Sequence, residues 1–317
     1  MPIEIDTAAA PIPVGRFAPS PTGPLHFGTL VAALGSYLLA KSRNGRWLLR
    51  IEDIDRPRVV DQADTEMLKL LEQLGFAWDG EPIYQSRRLE RYRETLAELQ
   101  AQGLLYPCNC SRREILASAP QHEDQGPIYP GTCRQGPQGQ RAEQAWRLRV
   151  PDEIVAFTDL VYGPQQQNLE REVGDFVLHR VDGIFAYQLV VVVDDLDAGV
   201  NQVVRGADLL SSTPRQIYLW RCFGAPVPDF LHLPLALGSG GKKLSKRHGR
   251  EGVVTCANGG PMLWQALEFL GQSPPPELFA APAREILHWG VEHFTPEAIA
   301  TTSRPYSAAA IGCPAAC

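Results

Sequence analysis

The chain has 317 residues, enough for one large domain or two small ones around a sizeable core. With 44% hydrophobic and 21% charged residues, bulk disorder is excluded, and no apolar run approaches the roughly 18 residues of a membrane span. A net charge of -6 excludes a surface coated in basic residues, but it leaves room for a local basic patch that meets nucleic acid.

Residues 1–13 are expected to form a flexible lead. They do not combine a basic segment with an apolar core, so no signal peptide is read there and the cytoplasm is the expected compartment. From Val14, "VGRFAPSPTGPLHFGTLVAALGSYLLAKSRNG" predicts a short strand, a Pro/Gly-rich loop and a helix. Leu30, Ala33, Leu34, Tyr37 and Leu38 recur at helical spacing, and Asn44 and Gly45 supply the stop. "RWLLRIEDID" follows as a strand, which completes a βαβ unit and predicts an α/β fold with a parallel sheet. Helices are predicted at 61–74 and 86–102, the second with Ser86 as N-cap and Gly103 as stop. From Tyr106 to about Gln140 the sequence is rich in Pro, Gly and Gln and reads as a loop-rich insertion. "AWRLRV" and "EIVAFTDLVYG" then read as strands of a small mixed region. A strongly apolar stretch with an Asp-Gly turn, "FVLHRVDGIFAYQLVVVVDD", leads to a strand in "VNQVVRGADLL" and a helix in "SSTPRQIYLWRCFG". Beyond Val254 one helix is predicted, "PMLWQALEFLG", followed by a small-residue tail expected to be disordered.

Two short motifs carry chemistry. In "RFAPSPTGPLHFGTL", His26 and Gly28 stand where a loop becomes a helix. A helix start offers free N–H groups and partial positive charge to a phosphate, Gly28 permits close approach, and His26 can donate a hydrogen bond. In "KLSKR", Lys243, Ser245 and Lys246 can hold polyphosphate charge as it shifts during reaction. Each motif alone also fits an ordinary surface loop. Together, in this order and about two hundred residues apart in an α/β chain, they are far more specific.

The pair resembles the two signatures of class I aminoacyl-tRNA synthetases, with "HFGT" at the His-Ile-Gly-His position and "KLSKR" at the Lys-Met-Ser-Lys position. Thr29 replaces the second histidine and Leu244 the methionine. With "RIEDIDRPR" and "VVRGADLLSSTPRQIYL", residues 14–255 resemble the glutamyl-tRNA synthetase catalytic core. The resemblance implies a Rossmann-type catalytic core with a small inserted zinc-containing subdomain and a short helical C-terminal part. On that plan 14–105 and 176–255 are the two halves of the nucleotide-binding catalytic domain, 106–175 is the insertion, and 256–317 is a short helical segment and tail. About 70 residues follow Arg247, too few for the family's anticodon-binding region. The resemblance is therefore to the truncated paralogues, the glutamyl-Q tRNA(Asp) synthetases, which attach glutamate to queuosine in the anticodon of tRNA(Asp).

The same resemblance implies that His26, Gly28, Lys243 and Lys246 are catalytic and that His26, Gly28, Thr29, Ser245 and Lys246 bind ATP, with Mg²⁺. It places glutamate against Arg16, Ser20, Glu52, Tyr187 and Arg205. The chemistry agrees, because a carboxylate suits an ammonium and a guanidinium suits a carboxylate. Each of these charges also has a bland alternative as a structural ion pair, and Tyr187 as core packing.

Seven cysteines cannot all pair with one another. Cys108, Cys110 and Cys133 in the loop-rich insertion suggest one structural Zn²⁺, which needs a fourth ligand. The paralogue pattern implies Tyr129, while His122 competes on general chemistry. The implied partners are glutamate, ATP and queuosine-bearing tRNA(Asp), with a monomer expected and no membrane. Two other functions stay open. One is a discriminating glutamyl-tRNA synthetase that charges the tRNA 3′ end, and the other is a non-catalytic RNA-binding relic.

Overall fold

The structure is a computed structural model that describes residues 11–118, 121–122, 126–138, 141–238, 244 and 252–306. Strand β1 (Val14–Phe17) enters the Pro/Gly loop, helix α1 (Phe27–Lys41) returns, and β2 (Arg46–Ile51) lies parallel to β1. α1 starts at His26 because that residue is extended and its Nδ1 accepts the Thr29 amide at 3.3 Å. The chain leaves the helix through Asn44, at φ 54°, as the Asn-Gly pair predicts.

α2 (Ala63–Gln73), β3 (Ile83–Tyr84) and α3 (Leu89–Ala101) complete the first half. α3 begins three residues later than predicted. Ser86 is not its cap, and its amide and hydroxyl instead hold the Asp53 carboxylate. Next come β4 (Leu105–Cys108), α4 (Arg112–Ser118), β5 (Gln121–His122), β6 (Gly126–Pro127) and β7 (Ala145–Leu148). They lead to β8 (Ile154–Asp159), β9 (Gly163–Asn168), the short α5 (Leu169–Glu172) and β10 (Val177–His179). α6 (Tyr187–Asp197), β11 (Gln202–Gly206), α7 (Thr213–Cys222), β12 (Asp229–Leu233) and β13 (Ala236–Leu237) follow. α8 (Gly259–Phe269), α9 (Ala283–His293) and β14 (Arg304–Pro305) finish the described chain.

The main sheet has seven strands in the order β3-β2-β1-β11-β12-β8-β9, all parallel neighbours except the β8–β9 hairpin. Strand order runs outward in both directions from β1 and β11, so a topological switch point lies between them. The 154–159 strand was expected in a small mixed region, but it extends this sheet through its bridge to β12. β4, β7 and β10 make a separate antiparallel sheet of three strands.

Alternate residues of the parallel strands feed two apolar layers. Leu49, Val204 and Leu231 face one cluster with α1 and α8, and Leu48, Val203 and Phe230 face another with α6 and α7. The valine run in α6 has strand propensity, but its burial between α3 and α7 overrides it. Beyond the helix predicted at 261–271, here α8, the sequence reading missed α9 and β14. No helix among the described residues is long and apolar enough to cross a membrane.

Charged side chains also cross this core. Arg16 Nε lies 3.1 Å from Asp195 Oδ1, and Arg50 reaches the same carboxylate. Asp194 takes hydrogen bonds from Arg88 Nε (2.7 Å), the Tyr92 hydroxyl (2.9 Å) and Gln85 (2.9 Å). Burial alone would raise the Asp195 carboxyl, but the Arg16 and Arg50 guanidinium groups outweigh it and hold the group below its ordinary value.

Asp195→Asn is expected to cost about 3–5 kcal/mol in urea unfolding at neutral pH, because it strands buried cations. A loss below ~1 kcal/mol would remove the network from its structural role. The folded Asp195 carboxyl lies below its unfolded value of ~3.9. Its contribution is therefore complete above that value and is lost as pH falls through the folded one, so the variant should show a flatter acid limb of stability against pH.

Candidate active site

A cavity of about 550 Å³ opens at the carboxyl ends of β1 and β11, where the switch point places a ligand crevice. It is lined by Arg16, Ser20, His26, Gly28, Thr29, Glu52, Tyr187 and Arg205. Every described residue singled out by the two motifs and the glutamate set thus meets in one place. Lys243, Ser245 and Lys246 lie outside the described residues. Leu244 is described, is buried, and lines the same cavity.

β1 delivers Arg16, the end of β2 delivers Glu52, β11 delivers Arg205, and the first residue of α6 is Tyr187. The charges of these groups are not balanced alike. Arg16 is paired with Asp195. Glu52 receives one bond, 3.3 Å from Arg50, whose guanidinium also serves Asp195. Burial raises the Glu52 carboxyl despite Arg50 and Arg16. Arg205 is buried, and its nitrogens donate to His232 Nε2 (3.0 Å), Gln216 Oε1 (2.6 Å) and Thr213 Oγ1 (2.8 Å). Among the described residues it has no ion-pair partner, and burial lowers its pKa. One cavity therefore holds an under-compensated carboxylate and an under-compensated guanidinium, a charge pattern complementary to a zwitterionic ligand with an acidic side chain.

The start of α1 forms another wall. Nδ1 of His26 accepts the Thr29 amide, which assigns the ring proton to Nε2, 2.9 Å from the Thr29 hydroxyl. The residue that replaces the family's second histidine thus contacts the first. Leu244, inside the second motif, and Gly252 and Val254 beyond it are held by backbone hydrogen bonds, the last two to residues on either side of His26. The Leu244 amide donates to Ala236 O (2.8 Å), the Phe27 amide to Gly252 O (2.7 Å), and the Val254 amide to Leu25 O (2.9 Å). Gly252 is at φ 73°, and a Cβ there would meet Leu244 at 2.9 Å.

The sulfur atoms of Cys108, Cys110 and Cys133 lie within 4.8 Å of one another. The Tyr129 hydroxyl is 3.3 Å from Cys108 and 3.6 Å from Cys110. It also accepts the Cys133 amide at 2.9 Å. Tetrahedral zinc–sulfur bonds of ~2.3 Å put ligand atoms nearly 4 Å apart, so these four donors fit such an ion. Burial would raise the Cys133 thiol, but hydrogen bonds from Tyr129 and from backbone amides bring it down to about 7. The His122 side chain lies outside the described residues.

The sequence reading missed Asp194, Asp195, His232, Asp159 and Gln216. Four of these five left a signal: an ionisable residue inside an apolar run, in "VVVVDD", "FLHLPL" and "EIVAFTD". Gln216 left none.

This parallel fold with its switch-point cavity is that of class I tRNA synthetases. The family model for tRNA synthetases class I (E and Q), catalytic domain, matches residues 14–258, and the chain belongs to that family, whose members are ligases. Similar relatives point to one branch. A glutamyl-Q tRNA(Asp) synthetase of Geobacter sulfurreducens is 51% identical over 96% of this chain and 99% of its own. Another, of Burkholderia mallei, is 58% identical over 74% of this chain and 80% of its own. Among solved structures, the glutamate-tRNA synthetase of Elizabethkingia anophelis superposes with a TM-score of 0.74 at 25% identity, over 94% of this chain and 69% of that one.

Because the folded Glu52 carboxyl lies above its unfolded value, ionised Glu52 costs stability at neutral pH. Glu52→Gln is therefore expected to leave the Tm of the ligand-free protein equal or higher. A fall of several degrees would make Glu52 a structural partner of Arg50 instead of a surplus charge.

Proposed function

We propose that this enzyme activates glutamate with ATP and transfers it to queuosine in the anticodon of tRNA(Asp). The observation that carries the reading is the opposed pair of under-compensated charges, Glu52 and Arg205, in the cavity beside the α1 start. The glutamate ammonium meets Glu52, and its side-chain carboxylate meets Arg205 with the Tyr187 hydroxyl nearby. Arg16 and Ser20 complete the amino-acid pocket. The transfer target is supported by the name of relatives that match almost end to end.

In the first step an oxygen of the glutamate α-carboxylate attacks the α-phosphorus of ATP. The bond to the bridging oxygen breaks, and pyrophosphate leaves with glutamyl-adenylate formed. In the second, a hydroxyl of the queuosine cyclopentenediol attacks the activated carbonyl and AMP leaves. No enzyme nucleophile is needed, so this chain supplies positioning and charge. His26, Gly28 and Thr29 present the helix start to the phosphates, Ser245 and Lys246 hold ATP, and Lys243 and Lys246 follow the departing pyrophosphate. ATP enters as its Mg²⁺ complex. In the insertion, Cys108, Cys110, Tyr129 and Cys133 would hold one structural Zn²⁺, tying β4 to the following loop.

Glutamate-dependent exchange between ATP and pyrophosphate is expected without any tRNA, and its absence would overturn the reading. Labelled glutamate should pass to tRNA(Asp) that carries queuosine and not to tRNA(Asp) that lacks it. Equal labelling would point to the 3′ end. Lys246→Ala should cut exchange by about 100-fold while tRNA binding persists.

Metal content separates the two fourth-ligand candidates. Tyr129→Phe should lower zinc occupancy after dialysis against a weak chelator, and His122→Ala should not. The reverse pattern would transfer the ligand role to His122.

A further inference from the structure

We infer that the uncharged cage around Arg205 makes the pocket choose a carboxylate side chain over an amide, with Gln216 and His232 as the positioning residues that set this choice. The inference rests on the glutamate-activation reading and names the groups that give it specificity.

Arg205 is 6% exposed, and its acceptors among the described residues are neutral: His232, Gln216, Thr213, the Leu209 carbonyl at 3.4 Å, and the Tyr187 hydroxyl on the cavity side. Hydrogen bonding fixes the state of His232. Its Nε2 accepts from Arg205, so its ring proton sits on Nδ1, 2.6 Å from Asp159 Oδ2. The whole imidazole ring separates Asp159 from the guanidinium, and that carboxylate already accepts the amides of Val161, Tyr162 and His232. Asp195, the other buried carboxylate nearby, is taken up by Arg16 and Arg50. Gln216 is held with its oxygen toward Arg205, because its amide nitrogen donates to Gln188 (2.9 Å), whose own nitrogen donates to Ser212 (3.0 Å).

The cage orients the guanidinium without neutralising it. A ligand carboxylate completes the charge. A ligand amide leaves a buried cation unpaired, which is where strong discrimination arises. Had position 216 or 232 been a carboxylate, Arg205 would carry an internal counter-ion and the pocket would lose its reason to prefer an acid.

Gln216→Glu changes almost nothing in shape and supplies that counter-ion. In ATP–pyrophosphate exchange its KM for glutamate should rise about tenfold or more, with the KM for ATP within twofold of wild type. Its preference for glutamate over glutamine should fall by a similar factor. His232→Glu should move both quantities the same way, and it serves if Gln216→Glu does not fold. In the wild type, glutamine should compete with glutamate at least about 100-fold more weakly than unlabelled glutamate does. A folded variant that keeps the wild-type glutamate KM and preference overturns the inference. So does an equal rise in both KM values, or effective competition by glutamine. If the wild type shows no glutamate-dependent exchange, the parent reading fails as well, and that outcome is distinct because it appears before any substitution.

Discussion

The shared carboxylate of Asp195 is the constraint on which the rest of this molecule depends. It ties β1 through Arg16 and β2 through Arg50 to α6, three elements far apart in sequence. Two guanidinium groups on neighbouring parallel strands would repel, and only an anion delivered from the covering helix lets both be buried. That pairing fixes how α6 sits on the sheet. The N-terminus of α6 carries Tyr187 into the cavity, so the same ion pairs that hold the layers together also aim one wall of the site.

The network leaves two charges unevenly served, and these are the ones that face the cavity. Arg50 divides its donors between Asp195 and Glu52, so Glu52 is ionised at a cost. Arg205 is oriented from several sides by neutral acceptors and neutralised by none. A stability-optimised core would pair both internally. On the proposed reading, keeping them apart makes the ligand the missing counter-charge and turns stored electrostatic cost into binding selectivity.

The part of this site that was legible in the sequence is the part built from local pattern. His26 and Gly28 announce a helix start because loop and helix are contiguous, whereas Arg16, Glu52 and Arg205 were singled out only through the family resemblance. Asp195 and His232 show only as ionisable residues in apolar runs, and their pairing was not legible, because the partners lie 145 to 179 residues away for Asp195 and 73 for Asp159 with His232. Only the folded register of β11 on β12, which sets Arg205 beside His232, brings those groups together. The same limit explains β8 and β9. "EIVAFTDLVYG" reads as a strand of a small mixed region, and nothing local says that Asp159 will bridge to Phe230 of β12 and bring the hairpin into the main sheet. α9 was missed because its apolar stripe is narrow and "APARE" lacks a capping residue of the usual kind.

The described residues beyond 255 line none of the cavity, yet they shape it. β14 pairs with β13, the strand whose Ala236 carbonyl holds the Leu244 amide. Tyr306, the next residue, donates its amide to Leu237, lays its ring on Phe27 at 4.3 Å, and approaches Gly252. Phe27 follows His26, and Gly252 closes the far side of the second motif. The last described residues therefore touch both flanks of the second motif and the first turn of α1 at once. The described residues after 255 thus brace β13, which holds Leu244, and Gly252 against the first turn of α1. On the proposed reading, a site that works by positioning and charge depends on how firmly that first turn is held.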